Sequence, residues 1–346
     1  ARWTLEPCSR FCSLVRPVSM VQELHALPVQ CLIGALDDAT SGTEGRGGIS
    51  PLLRRRQVGR KNLHVDVSRC DDVVLSVSRR REFNDAYEIG ESLGQGTTGV
   101  VYRARRKKDN LGVAVKTMRT NDPELVDIAA KEHELLAGIR HPNIIRALDF
   151  HITPSGVAMV LELFEGRALQ QVVRDSPNHC LDEAIAKRLF SQLGQAVRHL
   201  HALAIVHRDV KAQNILVSSD LSDLRLLDFN TAKCISDGEA LTMTGTFLYL
   251  PPEVLRSQMS PSKRSDIWSA GLCLHLMIVG HLPFSGHEFQ ERYAFAAHVE
   301  EQTRASLQRP WSASQACVEV LRKTLSLDRN VYLSAEELMA LEWLRL

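Results

Sequence analysis

A change of hydrophobic texture along the chain constrains its fold more than any other feature. From Tyr87 onward, short runs rich in β-branched and aromatic residues follow one another: YEIGESLG, GVVYRARR and GVAVKTM. From Leu181 the apolar residues instead recur at three- and four-residue spacing over long segments. Strand-period segments followed by helix-period segments predict an α+β chain in two parts, a small, largely antiparallel sheet and then a larger helical body. Before Tyr87 no sustained period emerges. Residues 1–84 hold interrupted apolar clusters, a glycine-rich stretch at 41–48 and arginine triplets at 54–56 and 79–81, a composition that predicts a mostly disordered leader. The triplets would suit an acidic partner or a nuclear signal, and equally a solvated charge run. Arg2, Arg10 and Arg16 among few acids lend the leader a faint transit-peptide flavour.

Composition removes several classes of function. With 42 basic against 41 acidic side chains, the net charge is +1, so no global field draws the chain to nucleic acid or to a membrane surface. The eight cysteines include no C-x-x-C pair and no Cys/His cluster at zinc spacing, which fits reduced thiols in a cytoplasmic protein. The longest apolar stretch, 270–280, is too short for a bilayer and reads as a buried core helix. The expectation is therefore a monomeric protein with neither nucleic-acid nor membrane partner.

Chemistry-bearing residues concentrate in four segments. In LGQGTTGVVY, Gly94, Gly96 and Gly99 form G-x-G-x-x-G, whose bare backbone can close over phosphates. A dinucleotide fold would open a helix at these glycines, but Val100, Val101 and Tyr102 continue as strand, so the loop joins two strands as a flap. In the strand VAVK, alternation puts Ala114 and Lys116 on one face. A lone lysine is more often a snorkelling surface group. Here, however, a helical segment follows, and Leu125, Ile128, Leu135, Leu136 and Ile139 mark a buried stripe on it. Glu132 lies on that stripe and Glu134 well round from it. Either charge buried alone would cost several kcal/mol, about what an unpaired ion costs, so Lys116 and Glu132 explain each other. Next, after a helix with Ile185, Leu189, Leu193, Val197 and Leu200 at helical spacing, comes VHRDVKAQNILV. Asp209 can accept a proton from a hydroxyl, Lys211 can steady a phosphoryl group and Asn214 can offer an amide oxygen to a metal. Finally, an apolar strand at 224–227 delivers Asp228 and Phe229. A carboxylate leaving a buried strand beside a phosphate site is a natural Mg²⁺ ligand.

In this order the Gly-rich loop, VAVK, the helix glutamate, HRDVKAQN, DFN, LPPE at 250–253 and DIWSAG at 266–271 resemble the eukaryotic protein kinases over about residues 85–346. The resemblance implies a two-lobed fold, with a sheet lobe at about 85–164 carrying one key helix and a mainly helical lobe at about 165–346. It implies ATP and Mg²⁺ as cofactors and protein substrates bearing serine or threonine. Carried over residue by residue, Lys116 would hold the α/β-phosphates and Glu132 would hold Lys116. Asp209 would orient or deprotonate the acceptor, and Asn214 and Asp228 would ligate Mg²⁺. The stretch at 159–164 resembles the family's hinge, which implies Leu161 as gatekeeper and backbone contacts to adenine from Glu162 and Phe164. Val101, Ala114 and Leu216 match the apolar positions around the purine, and each could equally be plain core.

Lys211 and Thr246 resemble the serine/threonine class, and EHELL, HPNII, T-x-T-G-T and Trp311 ahead of Ser314 resemble the calcium/calmodulin-dependent group. No EF-hand or basic amphipathic tail accompanies them. Arg208 before Asp209 matches the arginine that receives an activation-loop phosphate. That implies an upstream kinase acting at Thr242, which could also be an ordinary exposed threonine. Five positions depart from the family: Asn230 for the glycine of DFG, Thr98 at the loop tip, Ala168 at the ribose position, Pro251 in LPPE, and Tyr332 where an arginine usually pairs with Glu253. A catalytically silent scaffold of the same fold is the alternative these departures raise. The complete set Lys116, Glu132, Asp209, Asn214 and Asp228 favours the enzyme.

Overall fold

Alternating burial builds the first half of the fold. The computed structural model describes residues 83–96, 99–234, 246–257, 260–285, 291–328, 331 and 333–345. Thr98, Thr242, Tyr332 and the leader up to residue 82 lie outside these. Strands β1 (Tyr87–Gly96), β2 (Gly99–Arg106), β3 (Leu111–Arg119), β4 (Ala147–Thr153) and β5 (Gly156–Glu162) form one antiparallel sheet in the order β1-β2-β3-β5-β4. Val113, Val115, Ala158 and Val160 send their side chains to one face, where they pack with Phe83 and Tyr87. Period-two alternation therefore turns Ala114 and Lys116 to the other. Phe83 packs against Tyr87 and His151, so the folded region already includes a residue two positions before the expected domain start.

Helix α1 (Pro123–Ala137) starts where Asp122 accepts a hydrogen bond from the Glu124 N–H and Pro123 fills the first turn, both ordinary helix-start chemistry. It buries Ala129, Glu132 and Leu136. The apolar stripe is narrower than its spacing predicts. Leu136 and Ile139 are buried, but Leu125 and Ile128 are 41% and 49% exposed. Only the positions turned toward β4 and β5 are covered. Leu125 and Ile128 instead rim a recess of about 180 Å³ shared with Met118, Val157 and Met159.

The second half is helical. Strand β6 (Gly166–Ala168) leads into α2 (Leu169–Asp175) and α3 (Glu183–Ala202). Strands β7 (Ile205–Val206), β8 (Ile215–Ser218), β9 (Leu224–Leu226) and β10 (Lys233–Cys234) precede α4 (Pro252–Ser257), α5 (Lys263–Val279), α6 (Arg292–Gln308), α7 (Gln315–Thr324) and α8 (Ala335–Met339). Leu189, Leu193, Val197 and Leu200 of α3 are almost wholly buried, each stabilising the fold by about 1.5–3 kcal/mol before entropy is counted. Ile185 of the same stripe is only half-buried. Helix α5 is buried from Ser265 through Ile278, as its apolar run predicts. Among the described residues no helix is long and apolar enough to cross a membrane.

Backbone pairing joins the halves. Ile145 N–H donates to Leu226 O at 3.0 Å and Leu226 N–H to Asn143 O at 2.9 Å, which attaches the segment before β4 to β9. Glu253 finds a cation by another route than the family's usual one. Arg264 Nε lies 3.0 Å from Glu253 Oε1, and its Nη2 donates to Ser326 O and Asp328 O.

Candidate active site

Lys116 is brought to the inner face by β3 and Glu132 by the buried side of α1. Lys116 Nζ donates to Glu132 Oε1 and Oε2 at 2.9 and 3.2 Å, and to Asp228 Oδ1 at 3.2 Å. Burial works against its charge, but the Glu132 and Asp228 carboxylates outweigh it and hold the Lys116 pKa above the ordinary lysine value. Glu134 points to solvent. Asp228 stands at the exit of β9 with φ 63, in the left-handed region that few non-glycine residues adopt and that aspartate tolerates better than most. Asn230 does not adopt positive φ, so the backbone freedom of the glycine it replaces is not needed there.

Asp209 is the centre of a second cluster. Its Oδ1 accepts from Thr246 N–H at 3.0 Å and Thr246 Oγ1 at 2.9 Å, and its Oδ2 from Lys211 Nζ at 2.6 Å and Asn214 Nδ2 at 3.0 Å. Lys211 Nζ also donates to Thr246 Oγ1 at 2.8 Å. Asn214 spends its amide N–H₂ on Asp209, which leaves its carbonyl oxygen as the group available to a cation. Arg208, at φ 66, donates from Nε to Thr231 O at 2.5 Å, and its Nη1 is buried with no hydrogen-bond partner among the described residues. The threonine expected to meet it, Thr242, is outside those residues.

The residue that fixes this loop opens the DIWSAG segment, for which sequence assigns no role. Asp266, on α5, is 1% exposed. Its Oδ1 accepts from Arg208 N–H at 2.8 Å, and its Oδ2 from His207 N–H and His201 Nε2, both at 2.9 Å. His207 donates from Nε2 to Leu227 O at 3.0 Å and sits edge-on to Phe229, which ties the Asp209 loop to the Asp228 strand. An aspartate inside an otherwise apolar helix was the signal available, because a buried carboxylate must find donors.

Between the two clusters and the sheet lies a cleft of about 370 Å³. Gly94, Gly96, Gly99, Val101, Ala114, Lys116, Glu132, Leu161, Glu162, Phe164, Asn214, Leu216 and Asp228 all line it. Asp209 and Lys211 are not among the lining residues, and Asp209 joins them through its hydrogen bonds from Asn214. Leu93, Leu136, Ile145, Met159, Leu163 and Leu227 complete its apolar lining, of which Met159 and Leu163 lie in the stretch expected as the hinge. Gly99 is required by packing, since a Cβ there would come within 2.0 Å of Thr117 O. At Gly94 a Cβ would meet nothing within 4 Å, so its missing side chain leaves room on the cleft side. Ala168 pairs with Leu216 and is not on the wall.

Among the described residues no cluster of three or more His, Cys, Asp or Glu side chains forms a cage sufficient for a metal. The Asp228 carboxylate and the Asn214 carbonyl nevertheless offer two hard oxygens on one wall. That suits Mg²⁺, which takes one or two carboxylates and completes its shell with phosphates and water.

Residues 87–344 match the family model of the protein kinase domain. Among curated proteins, CBL-interacting protein kinase 22 of Oryza sativa subsp. japonica is 34% identical over 60% of this chain and 51% of its own length. CBL-interacting serine/threonine-protein kinase 5 of Arabidopsis thaliana is 29% identical over 77% of this chain and 59% of its own. Testis-specific serine/threonine-protein kinase 2 of Mus musculus is 28% identical over 75% and 73%. The chain spans about half the length of the CBL-interacting relatives it matches.

Proposed function

The chain belongs to the protein kinase family, and on that premise we propose that it transfers the γ-phosphoryl group of ATP to serine or threonine hydroxyls of protein substrates. The observation that carries this reading is the shared network in which Lys211 and Thr246 converge on the two oxygens of Asp209. A carboxylate so held presents a fixed acceptor for a substrate hydroxyl, and Lys211 brings a positive charge to where the phosphoryl oxygens would gather. Lys116, pinned by Glu132, would receive the α- and β-phosphates. The backbones of Glu162 and Phe164 would receive adenine, between the side chains of Val101, Ala114 and Leu216. Mg²⁺, held through Asp228 and Asn214, would neutralise phosphate charge. Phosphoryl transfer asks mainly for positioning and electrostatic stabilisation, and these residues supply both.

The Arg208 guanidinium supports a regulatory reading. A phosphate on Thr242 would bring about two negative charges to a buried donor that has no hydrogen-bond partner among the described residues. The CBL interaction in the relatives' names is theirs, and much of their length lies outside the match. Incubation of the full chain with γ-labelled Mg-ATP and a degenerate peptide library, followed by phosphoamino-acid analysis, tests the proposal. Label on phosphoserine and phosphothreonine is expected. Label on tyrosine alone, or none, would refute it.

A further inference from the structure

The strand at the end of β5, which lines the cleft, is also gripped from outside it. On β9, Leu224 and Leu226 are buried, so alternation turns Arg225 between them to the opposite face, toward residues 162–164. There its guanidinium carbon lies 4.7 Å from the centre of the Phe164 ring, and its Nε is 3.3 Å from Glu162 Oε1. The cation is itself held in place, with Nη1 donating to Asp223 Oδ2 at 3.1 Å and to Leu224 O at 2.9 Å. Glu162 Oε1 also accepts from Arg146 N–H at 3.2 Å. The Phe164 ring also lies close to Gly166, where a Cβ would come within 2.9 Å of its Cε1.

We propose that Arg225 is a positioning residue for nucleotide: by fixing both Glu162 and Phe164 from behind, it sets the direction of the backbone groups that face adenine. This rests on the nucleotide reading of the cleft. An exposed ion pair would contribute little, but the Arg225 side chain is only 17% exposed and combines a ring stack with charged hydrogen bonds. A backbone recognition edge works only in one orientation, so loosening two of its three residues weakens binding without touching the chemistry at Asp209. Lysine cannot replace the planar fork, since it keeps the charge but neither the stack nor the paired donors.

The test uses the full chain with Arg225→Met, which keeps the aliphatic stem, and Arg225→Lys. Titration with a fluorescent ADP analogue gives Kd, and steady-state assays give KM for ATP and kcat at saturating ATP. Arg225→Met is expected to raise Kd and KM about tenfold, the worth of one charge-assisted hydrogen bond. Its kcat should stay within about twofold, since the interaction lost is made equally in ground and transition states. Arg225→Lys should fall between, and decides the matter if the methionine variant fails to fold. Unchanged Kd in a folded variant, or tighter binding and a higher kcat/KM, would overturn the inference while leaving the kinase reading intact. A wild-type chain that binds no nucleotide would overturn both.

Discussion

Lys116 and Glu132 meet at 2.9 Å with side chains only 16% and 8% exposed, so neither charge has water to fall back on. Glu132→Ala should therefore cost about 3–5 kcal/mol of unfolding free energy, nearer the lower figure because Asp228 stays beside the ammonium. Chemical denaturation measures that loss. The same variant should lose about 100-fold in kcat/KM, since a lysine displaced by about an ångström no longer meets the phosphates. Glu134→Ala, on the exposed side of the same helix, should change neither.

The Arg264–Glu253 pair carries the load that the missing arginine at position 332 would otherwise bear. Its side chains are 18% and 24% exposed, and Arg264 also holds the carbonyls of Ser326 and Asp328. Arg264→Gln should destabilise the chain by about 1.5–3 kcal/mol. Thermal unfolding should show a fall of about 2–4 °C for each kcal/mol at this size. An unchanged midpoint would mean that Glu253 is satisfied elsewhere.

Stability should also fall with acid in a window that His141, its pKa lowered to about 4 by burial, shares with His275. Burial holds its pKa down from 6.5 to about 4; its ring bonds His281 O at 2.7 Å and Ser306 Oγ at 2.8 Å. Between those values the unfolded chain binds a proton that the folded chain refuses, so stability decreases as pH falls from about 6.5 to about 4. The full loss is roughly 3 kcal/mol. His275→Gln should make this part of the stability profile shallower, leaving the share of His141, measured as denaturation midpoints across pH. An equal slope in both proteins would assign the acid sensitivity to other groups.

Much of this architecture is legible in the sequence. The period change near Leu181 separates the five-stranded sheet from the long helices, and of the five residues picked out from sequence, Lys116, Glu132, Asn214 and Asp228 line one cleft, with Asp209 hydrogen-bonded to Asn214. What remained hidden depended on partners distant in sequence. Leu125 and Ile128 have the right spacing for burial, yet periodicity says nothing of where a sheet ends. Asp266, a carboxylate in an apolar helix, signals that donors must reach it without saying which, and Arg225 on a short strand looks ordinary alone. Their work shows only when the Arg208 N–H and the Phe164 ring arrive beside them. Glu253 gained its cation the same way, from a helix whose sequence pattern gives no hint of the contact.

The account rests most heavily on Asp209 acting on the acceptor hydroxyl and not on nucleotide. The direct measurement compares wild type and Asp209→Asn for ADP-analogue affinity and for transfer of labelled phosphate to peptide. The account predicts matched affinities and transfer slower by about 10²–10⁴-fold in the variant. Equal transfer by the two proteins, with affinity unchanged, would contradict it.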